Sequence, residues 1–301
     1  MGITVFTPTY NRGYILTRTY NSLKKQTNKN FIWVIMDDGS TDNTEELVRS
    51  WEQDNVIKIS YHKQENQGRF AAYNNARKFF EGELVAFLDS DDVYLPNCIQ
   101  KILDTWNNNA DNMSYGGILA LMESQNNDVI GTEFPDILYS ERIYVLYDKY
   151  HMQGDKLIVL RRDLAQKYSY PVFTGEKFGG DSIVFNKVSD EKPMILLNEI
   201  LVCREYLPDS ITNNLLLYHL KSKNGMREHY LDCLVHEKYD KHKILKHSIG
   251  YVSYSLLTRC SFKTIIERMP NKIAGILLYP LGVLYYIRLN SIDKKLSEVK
   301  K

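Results

Sequence analysis

The chain has 301 residues, 44% of them hydrophobic and 25% charged, with a formal net charge of +1. That is ordinary for a soluble protein, and long enough for one large α/β domain with an appendage or for two small domains. The four cysteines, Cys98, Cys203, Cys233 and Cys260, are scattered without a CxxC pair, which argues against structural zinc and a disulfide framework and fits a reducing compartment.

Ile3 to Phe6 reads as a first strand, followed by Thr7-Pro8-Thr9-Tyr10-Asn11-Arg12-Gly13, a loop of turn formers and hydroxyls. The same polar residues interrupt any apolar run, so no signal peptide is expected. A helix follows with Ile15, Leu16, Tyr20 and Leu23 on one side. Phe31 to Met36 is a second strand ending in Asp37-Asp38-Gly39-Ser40-Thr41-Asp42, and Asp42 is placed to cap the helix of Leu47, Val48 and Trp51. Val56 to Tyr61 is a third strand. Asn66-Gln67-Gly68-Arg69 then opens a helix through Ala71, Ala72, Ala76 and Phe80.

A fourth strand, Leu84 to Leu88, runs into Asp89-Ser90-Asp91-Asp92. The alternation implies an α/β fold with a mostly parallel sheet and right-handed crossovers, its polar loops converging at the carboxyl ends of the strands. Carboxylates this close repel and raise one another's pKa, a cost that a divalent cation relieves. Mg²⁺ in particular takes one or two carboxylates together with substrate phosphates. The plain alternative is a solvated acidic turn in which Asp92 caps the next helix.

Further along, Leu95 to Trp106 reads as a helix, Tyr115 to Met122 as a strand and 125–136 as a polar connection. Ile158 to Leu160 is a strand, Arg161 to Tyr168 a helix and Tyr170-Pro171 a break. Thr174-Gly175-Glu176-Lys177-Phe178-Gly179-Gly180-Asp181-Ser182 is a glycine-rich acidic loop before a helix through Ile183, Val184 and Val188. Ile195 to Leu197 and Ile200 to Arg204 finish the sheet. After Pro208 the pattern turns helical, giving two domains, 1–210 and 211–301. His62, His151 and His219 have no partner spacing for a metal or a triad and read as structural.

From Lys221 onward, sixteen Lys and Arg face seven Asp and Glu, so this part carries +9 and the rest −8. An excess of that size suggests an anionic partner, against the bland reading of a solvated helical face. Ile273 to Ile287 is the most apolar stretch, interrupted by Pro280 and Gly282 and flanked by Arg268, Lys272 and Arg288. It falls short of the roughly twenty apolar residues a spanning helix needs. A buried helix pair is one expectation; an interfacial segment with Tyr279, Tyr285 and Tyr286 is the other.

Four elements in order carry a resemblance: Pro8-Thr9-Tyr10-Asn11-Arg12, Asp37-Asp38-Gly39-Ser40-Thr41-Asp42, Asn66-x-Gly68 with Asn74, and Asp89-Ser90-Asp91. The sequence resembles a family 2 glycosyltransferase of the bacterial surface or capsular polysaccharide type. It departs from that pattern in having Arg69 where lysine is frequent and Tyr73 where arginine precedes the asparagine. The resemblance covers about the first two hundred residues and is most specific over the first hundred. It implies a GT-A fold, a mixed, mostly parallel sheet flanked by helices, with a C-terminal helical extension. It also implies an inverting, metal-dependent transfer from a nucleotide-diphosphate sugar, UDP-sugars favoured, to a hydroxyl of a saccharide or lipid-linked acceptor.

Carried over residue by residue, Pro8, Thr9, Tyr10, Arg12, Asp38, Asn66, Gly68, Arg69, Asp89 and Ser90 would bind the donor nucleotide. Asp91, with Asp89, would hold Mn²⁺ or Mg²⁺. Asp181 would be the general base and Glu176 its reserve; the plain reading of Asp181 is a cap for the helix that follows. The implied setting is the inner face of the plasma membrane, with the protein cytoplasmic and peripheral. No nucleic-acid partner is expected, and self-association is left open.

Three rivals are weaker. A nicotinamide enzyme needs GxGxxG after the first strand, which is missing. A sugar nucleotidyltransferase usually has an N-terminal glycine-rich phosphate loop, also missing. A non-catalytic membrane- or nucleotide-binding protein leaves the acidic cluster unexplained.

Overall fold

The computed structural model describes residues 2–109, 111–205 and 215–298. They form two compact units, Met1–Tyr170 with Val184–Pro208, and Pro171–Ile183 with Asp209–Lys301. The boundary expected at 210/211, and the change of pattern after Pro208, lie outside the described residues. The loop Pro171–Ile183, expected within the first domain, packs with the C-terminal unit instead.

In the first unit, β1 (Ile3–Thr9), α1 (Gly13–Lys24), β2 (Phe31–Asp37), α2 (Thr44–Asp54), β3 (Lys58–Lys63), α3 (Arg69–Ala76) and β4 (Leu84–Phe87) alternate as the apolar pattern predicts. All seven residues of β2 are buried, as expected of a parallel strand covered on both faces. β1 lies between β2 and β4 and is parallel to both, pairing Ile3 with Phe31 on one side and with Leu84 on the other.

After β5 (Val93–Tyr94) and α4 (Cys98–Asn107) come β6 (Gly117–Ser124), β7 (Ser140–Glu141), α5 (Ile143–Asp148), β8 (Leu157–Arg161), α6 (Arg162–Lys167), α7 (Ser182–Glu191) and β9 (Met194–Arg204). The sheet order is β3-β2-β1-β4-β8-β6-β9-β5, with β7 on β9. The architecture is therefore mixed α/β. β8 is antiparallel to both β4 and β6, and β6 is parallel to β9. Those relations put the carboxyl end of β9 on the same edge of the sheet as the ends of β1, β2 and β4.

Two expectations change here. The short strands read at Ile195 to Leu197 and Ile200 to Arg204 are one strand, with register shifts against β6 on both sides of Leu121. Such a bulge accommodates the polar Asn198-Glu199 without ending the strand. The helix after the acidic cluster starts at Cys98, with Asn97 at its N-cap, so Asp92 does not cap it.

The second unit is helical: α8 (Leu215–Lys221), α9 (Lys223–His236), α10 (Lys241–Leu257), α11 (Phe262–Arg268) and α12 (Lys272–Glu298). Tyr251, Val252, Tyr254, Met226 and Leu289 are buried between these helices. The apolar stretch that reads as broken is continuous helix, because α12 runs through Pro280. The lost donor frees one carbonyl in a helix of 27 residues, and packing against α10 holds the rest. At Gly282 the helices approach so closely that a Cβ would lie 2.4 Å from Val252 Cγ1, while Ser253 Oγ donates to the Gly282 carbonyl at 2.9 Å.

Gly282→Ala is therefore expected to overpack the α10–α12 contact and lower stability by about 1–3 kcal/mol, read as a fall in Tm by circular dichroism. Leu284→Ala, on the exposed face of the same helix, is expected to move Tm far less.

Candidate active site

The site is built where β1, β2, β3, β4 and β9 end. Asn11, in the left-handed region at φ 52, receives Thr41 N–H on its Oδ1 at 2.8 Å. Its own N–H donates to Ser40 Oγ at 2.9 Å. Asp42 accepts from Gly13 N at 3.0 Å and from Thr44 N and Oγ1 at 3.1 and 2.6 Å, joining the starts of α1 and α2 from one residue ahead of the cap position, Asn43. Against the upward push of burial, these donors hold the Asp42 carboxyl below the usual aspartate range.

The two acids that end β2 do different work. Asp37 is fully buried, accepting from Ser40 N at 2.7 Å and from Tyr61 Oη at 2.5 Å. Asp38 accepts from Gln64 Nε2, Gln67 N and Gly68 N, each at 2.8 Å. Its carboxylate thus clamps the loop ahead of α3, where Gly68 sits at φ 94, a conformation open to glycine. Three of roughly four acceptor positions are in use, so at most one is left for the nucleobase role implied for it.

The Asp89-Ser90-Asp91-Asp92 turn is held from α1, where Thr19 Oγ1 lies 3.0 Å from the carbonyls of both Ser90 and Asp92. Arg204, at the end of β9, faces the acids. It donates to Asp92 through Nε at 3.2 Å and Nη2 at 2.9 Å, to Asp89 Oδ2 at 3.3 Å, and pairs with Asp155. Arg69 Nη2 reaches Asp89 Oδ1 at 3.3 Å. Burial pushes the Asp89 carboxyl up, but Arg69, Arg204 and Arg12 hold it below the usual range. Burial and the neighbouring Asp89 charge push Asp91 the other way, above it. Its own backbone N–H and the charges of Arg12 and Arg204 pull it back only in part, and among the described residues no side chain hydrogen-bonds to it.

A divalent cation fits this donor set. Asp91 is the carboxylate that no side chain hydrogen-bonds among the described residues, while both oxygens of Asp89 face guanidinium groups. One carboxylate completed by substrate phosphates is the mode that Mg²⁺ and Mn²⁺ accept. Two buried polar atoms among the expected site residues, Thr9 Oγ1 and Asn66 Oδ1, also have no hydrogen-bond partner. Tyr10 is exposed next to Thr9 in sequence, and Pro8 and Thr9 pair in register with Met36 and Asp37.

The model of glycosyl transferase family 2 matches residues 4–169. The chain belongs to that family. An uncharacterized glycosyltransferase of Nostoc sp. is 39% identical over 106 residues, which are 35% of this chain and 33% of the relative. The chain thus matches about a third of that relative's length. The Escherichia coli UDP-Glc:alpha-D-GlcNAc-diphosphoundecaprenol beta-1,3-glucosyltransferase WfgD is 25% identical over 207 residues, 68% of this chain and 76% of WfgD. Among solved structures, S. aureus TarS 1-349 in complex with UDP-GlcNAc matches at a TM-score of 0.55 and 18% identity, covering 95% of this chain and 91% of that one. The mannosyltransferase PcManGT of Pyrobaculum calidifontis, in complex with GDP-Man and Mn²⁺, matches at 0.55 and 16%, covering 97% and 83%. At those identities the two structures speak to the fold alone.

Of the expected site residues, the structure brings Arg69 onto Asp89 and Asp38 onto Gly68. Asp181 and Glu176 belong to the second unit. Asp181 is exposed immediately before α7. Glu176 accepts from Asn224 N, Asn224 Nδ2 and Gly225 N at 2.8–2.9 Å, satisfying the start of α9. Arg204 and Thr19 are the residues that sequence reasoning missed. An arginine closing the last apolar strand was the only available signal for Arg204.

Breaking a buried ion pair by removing one partner typically costs about 3–5 kcal/mol. Arg204→Met is expected to lower stability on that scale, with Arg204→Lys intermediate, by denaturant melts. Asp91→Asn should do the opposite in metal-free protein. A carboxyl whose folded pKa is raised is a liability wherever it is ionised, its contribution being lost as pH rises through the aspartate range. The amide is expected to raise the neutral-pH Tm, and the gain to vanish at low pH.

Proposed function

We propose that this family 2 member transfers a sugar, with inversion, from a nucleoside-diphosphate donor, UDP-sugars favoured, to a hydroxyl of a lipid-linked saccharide in bacterial surface polysaccharide synthesis. The observation that carries it is the unequal charge state of the acidic turn. Asp89 is neutralised by two arginines, whereas Asp91 has a raised pKa and no side-chain hydrogen bond among the described residues, on the edge of the sheet where open α/β folds take ligands. A diphosphate with a divalent ion is the ligand that completes such a balance.

Pro8, Thr9, Tyr10 and Asp38 would bound the base and ribose, with Thr9 Oγ1 and Asn66 Oδ1 offering the unspent hydrogen bonds. Arg12 and Arg69 supply positive charge for the diphosphate, and the turn of Asp89 and Ser90 sets the position of Asp91. A bound Mn²⁺ or Mg²⁺, held by Asp91 beside Asp89, would neutralise charge on the leaving diphosphate. Inversion needs one base for the acceptor hydroxyl. Asp181 takes that role ahead of Glu176, whose carboxylate is occupied at the start of α9.

The acceptor reading draws on WfgD, whose name gives a diphosphoundecaprenol-linked substrate. It draws equally on α12. One face of this helix packs on α10, while Ile273, Ile276, Leu277, Leu281, Leu284 and Ile287 form an exposed apolar stripe. The helix is long and apolar enough to cross a membrane by length and composition. Its packed face favours lying in the interface, with the +9 region from Lys221 against the anionic headgroups.

In a transfer assay with UDP-sugars, Mn²⁺ and a polyprenyl-diphosphate-linked saccharide, we expect EDTA to abolish turnover reversibly. Asp181→Asn should lower kcat by roughly a hundredfold or more with little change in donor affinity. Full turnover in EDTA, or an inert panel of donors, overturns the proposal. With vesicles, binding is expected to need acidic lipid and to weaken with salt. A salt-resistant part should disappear when Leu277, Leu281 and Leu284 are made polar. Indifference to anionic vesicles at low salt ends the membrane reading alone.

A further inference from the structure

A second cluster of ligating side chains lies in the helical unit. His229, Cys233 and Glu237 follow one another at four-residue steps along α9 and its last turn, so they share one face of the helix. His247 comes from α10. One ligand atom from each of Cys233, Glu237 and His247 lies within 4.8 Å of the other two. The His229 ring nitrogens are 3.8 and 3.9 Å from Cys233 Sγ. On a tetrahedral zinc ion with bonds of about 2.0–2.3 Å, ligand atoms stand roughly 3.3–3.7 Å apart. The cluster is therefore within a small side-chain adjustment of a metal site.

A second observation bears on the same cluster. His247 is 8% exposed, and its Nδ1 stands 2.7 Å from Glu237 Oε2, a salt-bridge distance. Neither of the two buried atoms has any further hydrogen-bond partner. The contact needs a hydrogen on Nδ1, a place that a metal ion can take once the two side chains part slightly.

We propose that Cys233, Glu237 and His247 bind a zinc ion, with His229 the group best placed to complete the four. Thiolate with imidazole selects zinc over Mg²⁺ and Mn²⁺, which prefer oxygen donors, so this ion is distinct in kind from the one implied at Asp91. Burial keeps the His229 ring neutral at physiological pH, with a pKa pushed down to about 4, so its lone pair is available. Burial, with Glu237 and Asp232 nearby, holds the Cys233 thiol protonated in the absence of an ion, so binding releases a proton.

The site has a mechanical consequence. The His229 ring lies directly under Gly180, where a Cβ would come within 2.4 Å of its Nδ1. Fixing that ring braces the loop that carries Asp181. No CxxC spacing announces the site, because its ligands come from one helical face and a second helix.

Cobalt and zinc titrations of the EDTA-treated full chain test this. We expect one equivalent of Zn²⁺ per chain, a rise in Tm, and a thiolate-to-cobalt charge-transfer band with Co²⁺. The band should vanish in Cys233→Ser and in His247→Ala and persist in Cys203→Ser. It should also persist in Asp91→Asn, which separates this ion from the donor site. Wild-type protein that neither retains Zn²⁺ nor gives the band overturns the proposal, whether or not the variants fold. So does a band that survives in Cys233→Ser or is lost in Asp91→Asn.

Discussion

The first unit depends on one electrostatic arrangement, the set of carboxylates after β4 held against Arg204 and Arg69. Asp92 is almost wholly buried, and an ionised carboxylate there is tolerable only with a guanidinium fork on it. The topology supplies that fork. β8 enters antiparallel between β4 and β6, so β6 and β9 recover the direction of β4, and β9 delivers Arg204 to the same edge as the acids. The long parallel pairing of β6 with β9, bulge included, serves to bring one side chain to Asp89 and Asp92.

The balance is deliberately incomplete. The arginines engage Asp89 and Asp92 and leave Asp91 with a raised pKa and no side-chain hydrogen bond among the described residues, while burial still pushes Asp92 up to about 7. Asp37, Asp38 and Asp42 show the complementary principle, since each is satisfied by local donors and spends its charge on shaping loops. An acid-rich sequence thus separates into carboxylates engaged by local donors and one, Asp91, that no side chain hydrogen-bonds among the described residues. Glu176 in the helical unit is likewise engaged, by three donors at the start of α9.

Much of this was legible in the sequence because it is local. The alternation of β1 through β4 follows from short apolar runs bounded by turn residues, and the four motifs fall in loops whose role is set by position after a strand. Non-local features were not legible. Nothing near Arg204 signals that it meets Asp92, 112 residues away. The loop Pro171–Ile183 looks like a connection inside the first domain, yet its packing partners lie in the second unit. Pro280 and Gly282 read as a break, because local propensity is blind to the α10 surface on which α12 packs and which leaves no room for a Cβ at Gly282. Asp92, a good cap by composition, was claimed by a stronger partner.

The central claim is that Asp91 and a divalent ion together complete a diphosphate site on the edge of the sheet. Calorimetric titration of UDP into the full chain, with Mn²⁺ and then with EDTA, tests it most directly when repeated on Asp91→Asn. The account predicts saturable one-to-one binding that needs the ion in wild type and is lost in the variant whatever the ion. Equal binding of UDP with and without Mn²⁺, unchanged in Asp91→Asn, would contradict it.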